Sequence, residues 1–251
     1  MNYIEAVALG ILQGLTEFLP VSSSGHLVIG QKLIGLSQPP ILFDILVHLG
    51  TLLSVVVYFK NRFLKLKAKI ILLIIIGTIP AGLVGLFLNH YIERIFDSLA
   101  GVGFSLLITS ILLFSTKFIK DKFKQFNKLN WKNALFIGCF QALAILPGVS
   151  RSGSTIVAGL SQGLSRKNAF IFSFYLAVPA ILGALVLQIP DIADLDSQSL
   201  NLGLIGTLTA FIFGLLSIKI LEKVVYKGKL YYFAAYCLIL GLLVLLKSFV
   251  F

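Results

Sequence analysis

The stretch Leu19-Pro20-Val21-Ser22-Ser23-Ser24-Gly25-His26 lies inside an apolar segment covering residues 4–36. At membrane depth every backbone polar group needs a partner, so a proline and three serines exclude an ordinary spanning helix there. About 16 residues precede the break, fewer than the roughly 20 that a span requires. The segment therefore reads as a re-entrant helical hairpin whose tip is held by protein or faces a water-filled cavity. A second broken segment, 132–164, carries Leu146-Pro147-Gly148-Val149-Ser150-Arg151-Ser152-Gly153-Ser154-Thr155.

The membrane setting follows from composition. Of 251 residues, 58% are hydrophobic and only 12% charged, where soluble domains carry roughly a quarter. Full spans are expected near 41–59, 70–88, 100–119, 170–189, 202–221 and 231–249. The fold class is thus an all-α polytopic membrane protein, with residues 1–251 forming a single membrane domain. Glu5 precedes the first apolar run and no basic n-region exists, so no cleavable signal peptide is expected. Cys139 and Cys237 both fall in apolar segments and read as small buried packing residues rather than a disulfide or metal pair.

An offset of 128 residues aligns Asn2 with Asn130, Gly10 with Gly138, Gln13 with Gln141, Ser22 with Ser150, Ser24 with Ser152, Gly25 with Gly153 and Ser37 with Ser165. The chain thus reads as two repeats, 1–119 and 128–251, each one re-entrant hairpin plus three spans. An odd number of crossings inverts the second copy. The loops agree. Seventeen of the 21 Lys/Arg residues fall on one side of this topology, in 60–69, 117–132, 166–167 and 219–229. By the positive-inside rule that side is cytoplasmic. Both termini and the mouth of the first hairpin are then external. The net charge of +11 is explained by this topology, and no nucleic-acid partner is expected. The opposite loop with Asp191, Asp194 and Asp196 has no basic residue, and His90 with Glu93 reads as a solvated external pair.

Polar groups inside membrane segments are functional candidates. Gln13 and Glu17, four apart, share a helix face, and Ser23 and His26 converge if the chain after the break is helical. A carboxylate, a hydroxyl and an imidazole then face one point. The second motif adds a permanent cation: Arg151 offers a planar fork suited to phosphate. Neighbouring Gly148, Ser150, Ser152, Gly153, Ser154 and Thr155 present backbone N–H groups and hydroxyls at a helix start. Ser22, Ser24 and Gly25 do so on the first tip. A structural Glu17–Arg151 pair, released when an anion arrives, is compatible with that role. Asp44 and His48 share a face of the first span and read as supporting residues or as a structural polar pair. Pro80 and Pro179 sit mid-span. Gly82 and Gly85 permit close packing, within one chain or in a homodimer.

The two motifs, Gln13 to His26 and Leu146 to Thr155, together with Phe43-Asp44 and His48-Leu49-Gly50, resemble the bacterial undecaprenyl-diphosphate phosphatase family, the integral-membrane type associated with bacitracin resistance. The resemblance extends over the whole chain. It implies removal of the terminal phosphate of a C55 polyprenyl diphosphate at the outer face of the cytoplasmic membrane, regenerating a lipid carrier for cell-wall synthesis. It also implies functional roles for Glu17, Ser23, His26 and Arg151, and a divalent metal, Mg²⁺ or Ca²⁺, with Glu17 as a candidate ligand. Gln13 stands where family members carry Glu, which weakens a two-carboxylate metal site. Three nucleophiles remain open: Ser23 activated by His26, His26 itself, or water activated by Glu17. A secondary transporter or flippase of a lipid phosphate is the rival reading, since paired re-entrant hairpins are transporter architecture. A passive channel is disfavoured because no polar ring runs the length of any span.

Overall fold

The computed structural model describes residues 1–34, 41–87, 98–120, 125–188 and 197–250. The expected loop pair His90/Glu93, the acidic loop at Asp191, Asp194 and Asp196, and the Ser37 end of the repeat alignment lie outside the described residues. Among the described residues there are ten α-helices and no strand.

The first broken segment is two helices, α1 (Tyr3–Phe18) and α2 (Ser23–Ile34). Asn2 and Glu5 close a reciprocal capping box at the start of α1, Glu5 N–H donating to Asn2 Oδ1 at 2.9 Å and Asn2 N–H to Glu5 Oε2 at 2.8 Å. Such a box satisfies N–H groups that no helical carbonyl can reach. Sixteen residues give α1 a length of about 24 Å, short of the ~30 Å hydrocarbon thickness. It ends where Pro20 follows.

Next come α3 (Ile41–Phe63), α4 (Ala68–Phe87) and α5 (Leu99–Ser115). The second broken segment is α6 (Trp131–Leu143) and α7 (Arg151–Ser161). A capping box of Asn130 and Asn133 starts α6 at the position aligned with Asn2. The chain ends with α8 (Arg166–Gln188), α9 (Ser197–Tyr226) and α10 (Tyr231–Val250).

Five helices, α3, α4, α8, α9 and α10, are long and apolar enough to cross a membrane. The protein is a multi-pass membrane protein. The segment 100–119, expected as a sixth span, holds the 17-residue apolar helix α5, shorter than the five. Past Ser115 the backbone tightens to i→i−3 bonds, Thr116 N–H donating to Leu113 O at 3.2 Å and Lys117 N–H to Phe114 O at 3.0 Å, and the α-helix ends there. α9 runs past its expected limits of 202–221 because its polar ends continue the helix beyond the apolar stretch that hydropathy detects. Pro80 and Pro179 lie inside α4 and α8 as expected.

α9 packs along α3 and α1, α10 along α5, and α4 along α6. Two contacts have no room for a side chain. A Cβ on Gly10 would meet Gly206 O at 2.7 Å, and one on the aligned Gly138 would collide with Gly77 O. A Cβ on Gly82 would meet nothing within 4 Å and one on Gly85 only Leu187, at 4.0 Å, so among the described residues neither makes a close helix contact. Aromatic rings of Phe18, Phe59, Phe170 and Phe174 fill the core beside the first tip, the first three each 4.8–5.3 Å from the Phe174 ring centroid. Leucine and isoleucine side chains line the exterior, as expected for a lipid-facing surface. Cys237 is buried as expected, whereas Cys139 is exposed. It lies on the outward face of α6, the face opposite the one carrying Ile137, Gly138 and Gln141 into the protein.

Candidate active site where the two hairpin tips meet

Pro20 prevents α1 from continuing, and the chain reverses over Leu19–Ser22. Ser22 has φ 69°, the one non-glycine residue with positive φ among the described residues. Left-handed backbone costs an ordinary L-residue about 1–2 kcal/mol, and such strain concentrates at functional sites. Here it turns the Ser22 hydroxyl to accept N–H groups from Gly25 at 3.3 Å and from Gly148 of the other tip at 3.0 Å. Ser24 Oγ lies 3.2 Å from the same hydroxyl.

The second tip is shaped to receive the first. Gly148 has φ +100°, and a Cβ there would meet Val102 O and Ser105 Cβ at 2.6 Å. A Cβ on Gly25 would lie 3.1 Å from Gly148 Cα. The tips are interlocked backbone to backbone. Ser150 caps α7, accepting the Gly153 N–H at 3.1 Å, and Ser152 Oγ lies 3.3 Å from Ser150 Oγ. Thr109 of α5 clamps this tip: its hydroxyl donates to Gly148 O at 2.8 Å and accepts the Ser150 N–H at 3.0 Å. Thr155 Oγ1 reaches Arg151 O at 2.8 Å and Ser173 Oγ of α8 at 2.6 Å.

Glu17, on the last turn of α1, is the hub. Its Oε1 accepts from Arg151 Nη2 at 2.9 Å, and its Oε2 accepts from Ser23 Oγ at 2.6 Å and from Gln13 Nε2 at 3.2 Å. The pair is largely shielded, with 8% of the Glu17 side chain and 13% of the Arg151 side chain accessible. Ser23 and Arg151 occupy aligned positions of the two motifs, and they meet on one carboxylate.

The expected Ser23–His26 pair is not formed. His26 Nδ1 bonds Ser22 O at 2.8 Å and Nε2 bonds Tyr236 Oη of α10 at 2.6 Å. The physical reason is side-chain direction: helical side chains lean toward the helix N-terminus. Ser23, the first residue of α2, leans back over the turn onto Glu17. Asp44 and His48 do share a face, joined through backbone, with His48 Nδ1 on Asp44 O at 2.7 Å.

Two polar atoms on residues of this centre are buried without a partner, Arg151 Nη1 and Gln13 Oε1; Asp44 Oδ1, Ser154 Oγ and the amide of Gln141 are likewise buried and unpaired. Leaving a buried polar group unpaired costs about 1–3 kcal/mol, so such a set marks a place for a polar ligand. Arg151 Nη1 is a cationic donor suited to an anion. Asp44 Oδ1 and Gln13 Oε1 are hard oxygens of the kind Mg²⁺ and Ca²⁺ accept. Glu17 has both oxygens engaged, and no group of three His, Cys, Asp or Glu able to hold a metal occurs among the described residues. Gln13 Oε1, on the residue hydrogen-bonded to Glu17, is the free oxygen that a phosphate-bound divalent ion would find at this centre.

The sequence motifs point to neither Thr109 nor Tyr236. Thr109 carried a usable signal, a hydroxyl inside an apolar helix. Tyr236 carried none, since tyrosine is ordinary in membrane helices and 210 residues separate it from His26.

Comparison with known proteins agrees with the motif evidence. Residues 6–243 match the model of the family described as bacitracin resistance protein BacA. A protein named undecaprenyl-diphosphatase from Desulfatibacillum aliphaticivorans is 41% identical, with all of both chains covered. One of the same name from Carboxydothermus hydrogenoformans is 42% identical over 98% of this chain and 97% of its own. Undecaprenyl-diphosphatase 3 of Bacillus cereus is 40% identical over 99% and 98%. With both motifs in place and its full length matched, this chain belongs to the BacA bacitracin-resistance family.

Proposed function

We propose that the protein hydrolyses undecaprenyl diphosphate to undecaprenyl phosphate and inorganic phosphate, recycling the lipid carrier for peptidoglycan synthesis and so conferring bacitracin resistance. The observation that carries this reading is the Ser23–Glu17–Arg151 constellation: a hydroxyl donating to a carboxylate at 2.6 Å, which is itself held by a guanidinium at 2.9 Å.

Arg151 binds the diphosphate, using the free Nη1 and then the nitrogen now on Glu17. As the anion takes over Arg151, Glu17 loses its cationic partner and becomes a stronger base. Ser23 Oγ attacks the terminal phosphorus while its proton passes to Glu17 Oε2, and the P–O bond to undecaprenyl phosphate breaks. Water then attacks the phosphoserine, Ser23 recovers its proton from Glu17, and inorganic phosphate leaves. Positioning and charge stabilisation dominate such reactions, and here the Arg151 fork supplies both. A Mg²⁺ or Ca²⁺ bound with the diphosphate, with Gln13 Oε1 as the free protein oxygen beside Glu17, would neutralise further charge.

His26, with both ring nitrogens engaged, is read as holding the tip rather than attacking phosphorus. A transporter or flippase needs an anion site but has no use for a hydroxyl on a carboxylate, so catalysis is the better reading. We further read the chain as two inverted repeats with α5 as the sixth crossing, in the bacterial cytoplasmic membrane. Both termini would be external and the site would open to the outer face. Supporting this are the paired capping boxes, the aligned Ser22 and Ser150 helix caps, and the glycine contacts Gly10–Gly206 and Gly138–Gly77.

Phosphate release from undecaprenyl diphosphate by purified protein in detergent tests the activity, since detergent has no two sides and transport gives no signal. Ser23→Ala is expected to lower turnover by roughly a thousandfold or more. Near-normal turnover in that variant would remove Ser23 as nucleophile.

A further inference from the structure

We propose that Tyr236 is a positioning residue for phosphate release, acting through His26 to hold the strained tip of the first hairpin. The inference rests on the reading of the two tips as one hydrolytic site.

His26 is buried, 8% exposed, while Tyr236 is 46% exposed on α10. Their rings stack at 9° with centroids 5.6 Å apart. Ser22 O can only accept, so the 2.8 Å contact requires the proton on His26 Nδ1. In the neutral ring Nε2 then has only a lone pair, and Tyr236 O–H donates to it at 2.6 Å. Hydrogen bonding at one ring nitrogen fixes the role of the other. Tyr236 thus selects the Nδ1–H tautomer, which is the tautomer that ties down Ser22 O.

That carbonyl belongs to the residue with φ 69°. The same residue's hydroxyl receives Gly148 N–H from the second tip, and the next residue is Ser23. A chain of contacts runs from α10 through Tyr236, His26 and Ser22 to Gly148, and it sets where Ser23 meets Glu17. None of these contacts involves the Arg151 fork. Loss of the Tyr236 hydroxyl should therefore reduce the rate of the chemical step and leave substrate binding nearly untouched.

The test is a double-mutant cycle on phosphate release with Tyr236→Phe, His26→Ala and both together, combined with ¹⁵N NMR of histidine-labelled protein. Phe keeps the ring against His26, and a melting temperature close to that of the parent checks the fold. Tyr236→Phe is expected to lower kcat by about tenfold with KM within about twofold, the pattern of an interaction realised only in the transition state. In the double variant it should cost nothing beyond His26→Ala. The His26 resonances should change from the pure Nδ1–H form to a tautomer mixture. Unchanged kcat and an unchanged tautomer in Tyr236→Phe, with His26→Ala impaired, overturn the inference alone and leave the site reading standing. Full activity in His26→Ala likewise overturns the inference alone, whereas near-normal turnover in Ser23→Ala overturns the site reading.

Discussion

Glu17 holds three donors on two oxygens, and the reading above gives it two tasks, counter-ion of Arg151 before substrate arrives and base afterwards. Glu17→Gln separates these from shape. Turnover should fall by roughly 10²–10⁴, the range for loss of a general base. The folded state should also lose about 3–5 kcal/mol, the cost of leaving one member of a buried ion pair uncompensated. A melting curve and a phosphate assay on the same sample check both, and a variant stable but inactive would mean that Arg151 finds another partner. The site's membership was legible in the sequence because Glu17, Ser23, His26 and Arg151 are polar groups in segments where polarity is costly. Their pairing was not. Spacing placed Ser23 with His26, but the positive φ of Ser22 and the backward lean of a first-turn side chain direct Ser23 to Glu17. Those are properties of the turn, which residue spacing does not encode.

The helices were largely readable, since Pro20 and Pro147 break two apolar segments and basic loops separate the others. What hydropathy marks is apolar length rather than helix length, which is why α9 extends beyond it and α5 falls short. The contacts between helices were less readable, because a glycine signals close approach without naming its partner. Gly10 proves to face Gly206 on α9, and Gly138 faces Gly77 on α4. Gly10→Ala and Gly138→Ala should each destabilise the protein by about 1–3 kcal/mol, the usual cost of overpacking a tight contact. Gly82→Ala is the control, with open space around it. It should leave the melting temperature unchanged or raise it, as a helical Ala replaces Gly. Equal effects at all three positions would contradict the packing described.

At the scale of the whole molecule, the proposed sidedness rests on the asymmetry of lysine and arginine. In a background lacking Cys139 and Cys237, a single cysteine at Lys229 should resist a membrane-impermeant thiol reagent in intact cells. One placed at Asn2 should react, and the reverse pattern would invert the topology. The central claim is that two tips, entering from opposite faces, form one site in which a nucleophile from the first meets a phosphate held by the second. Its most direct test is kcat/KM for phosphate release by Arg151→Lys in detergent. The charge is kept, but a point charge cannot span two phosphate oxygens as the guanidinium fork does. The account predicts a loss of roughly a hundredfold or more, the scale of removing a transition-state charge clamp. Activity within about threefold of the parent, where uniform surface charge suffices, would contradict it.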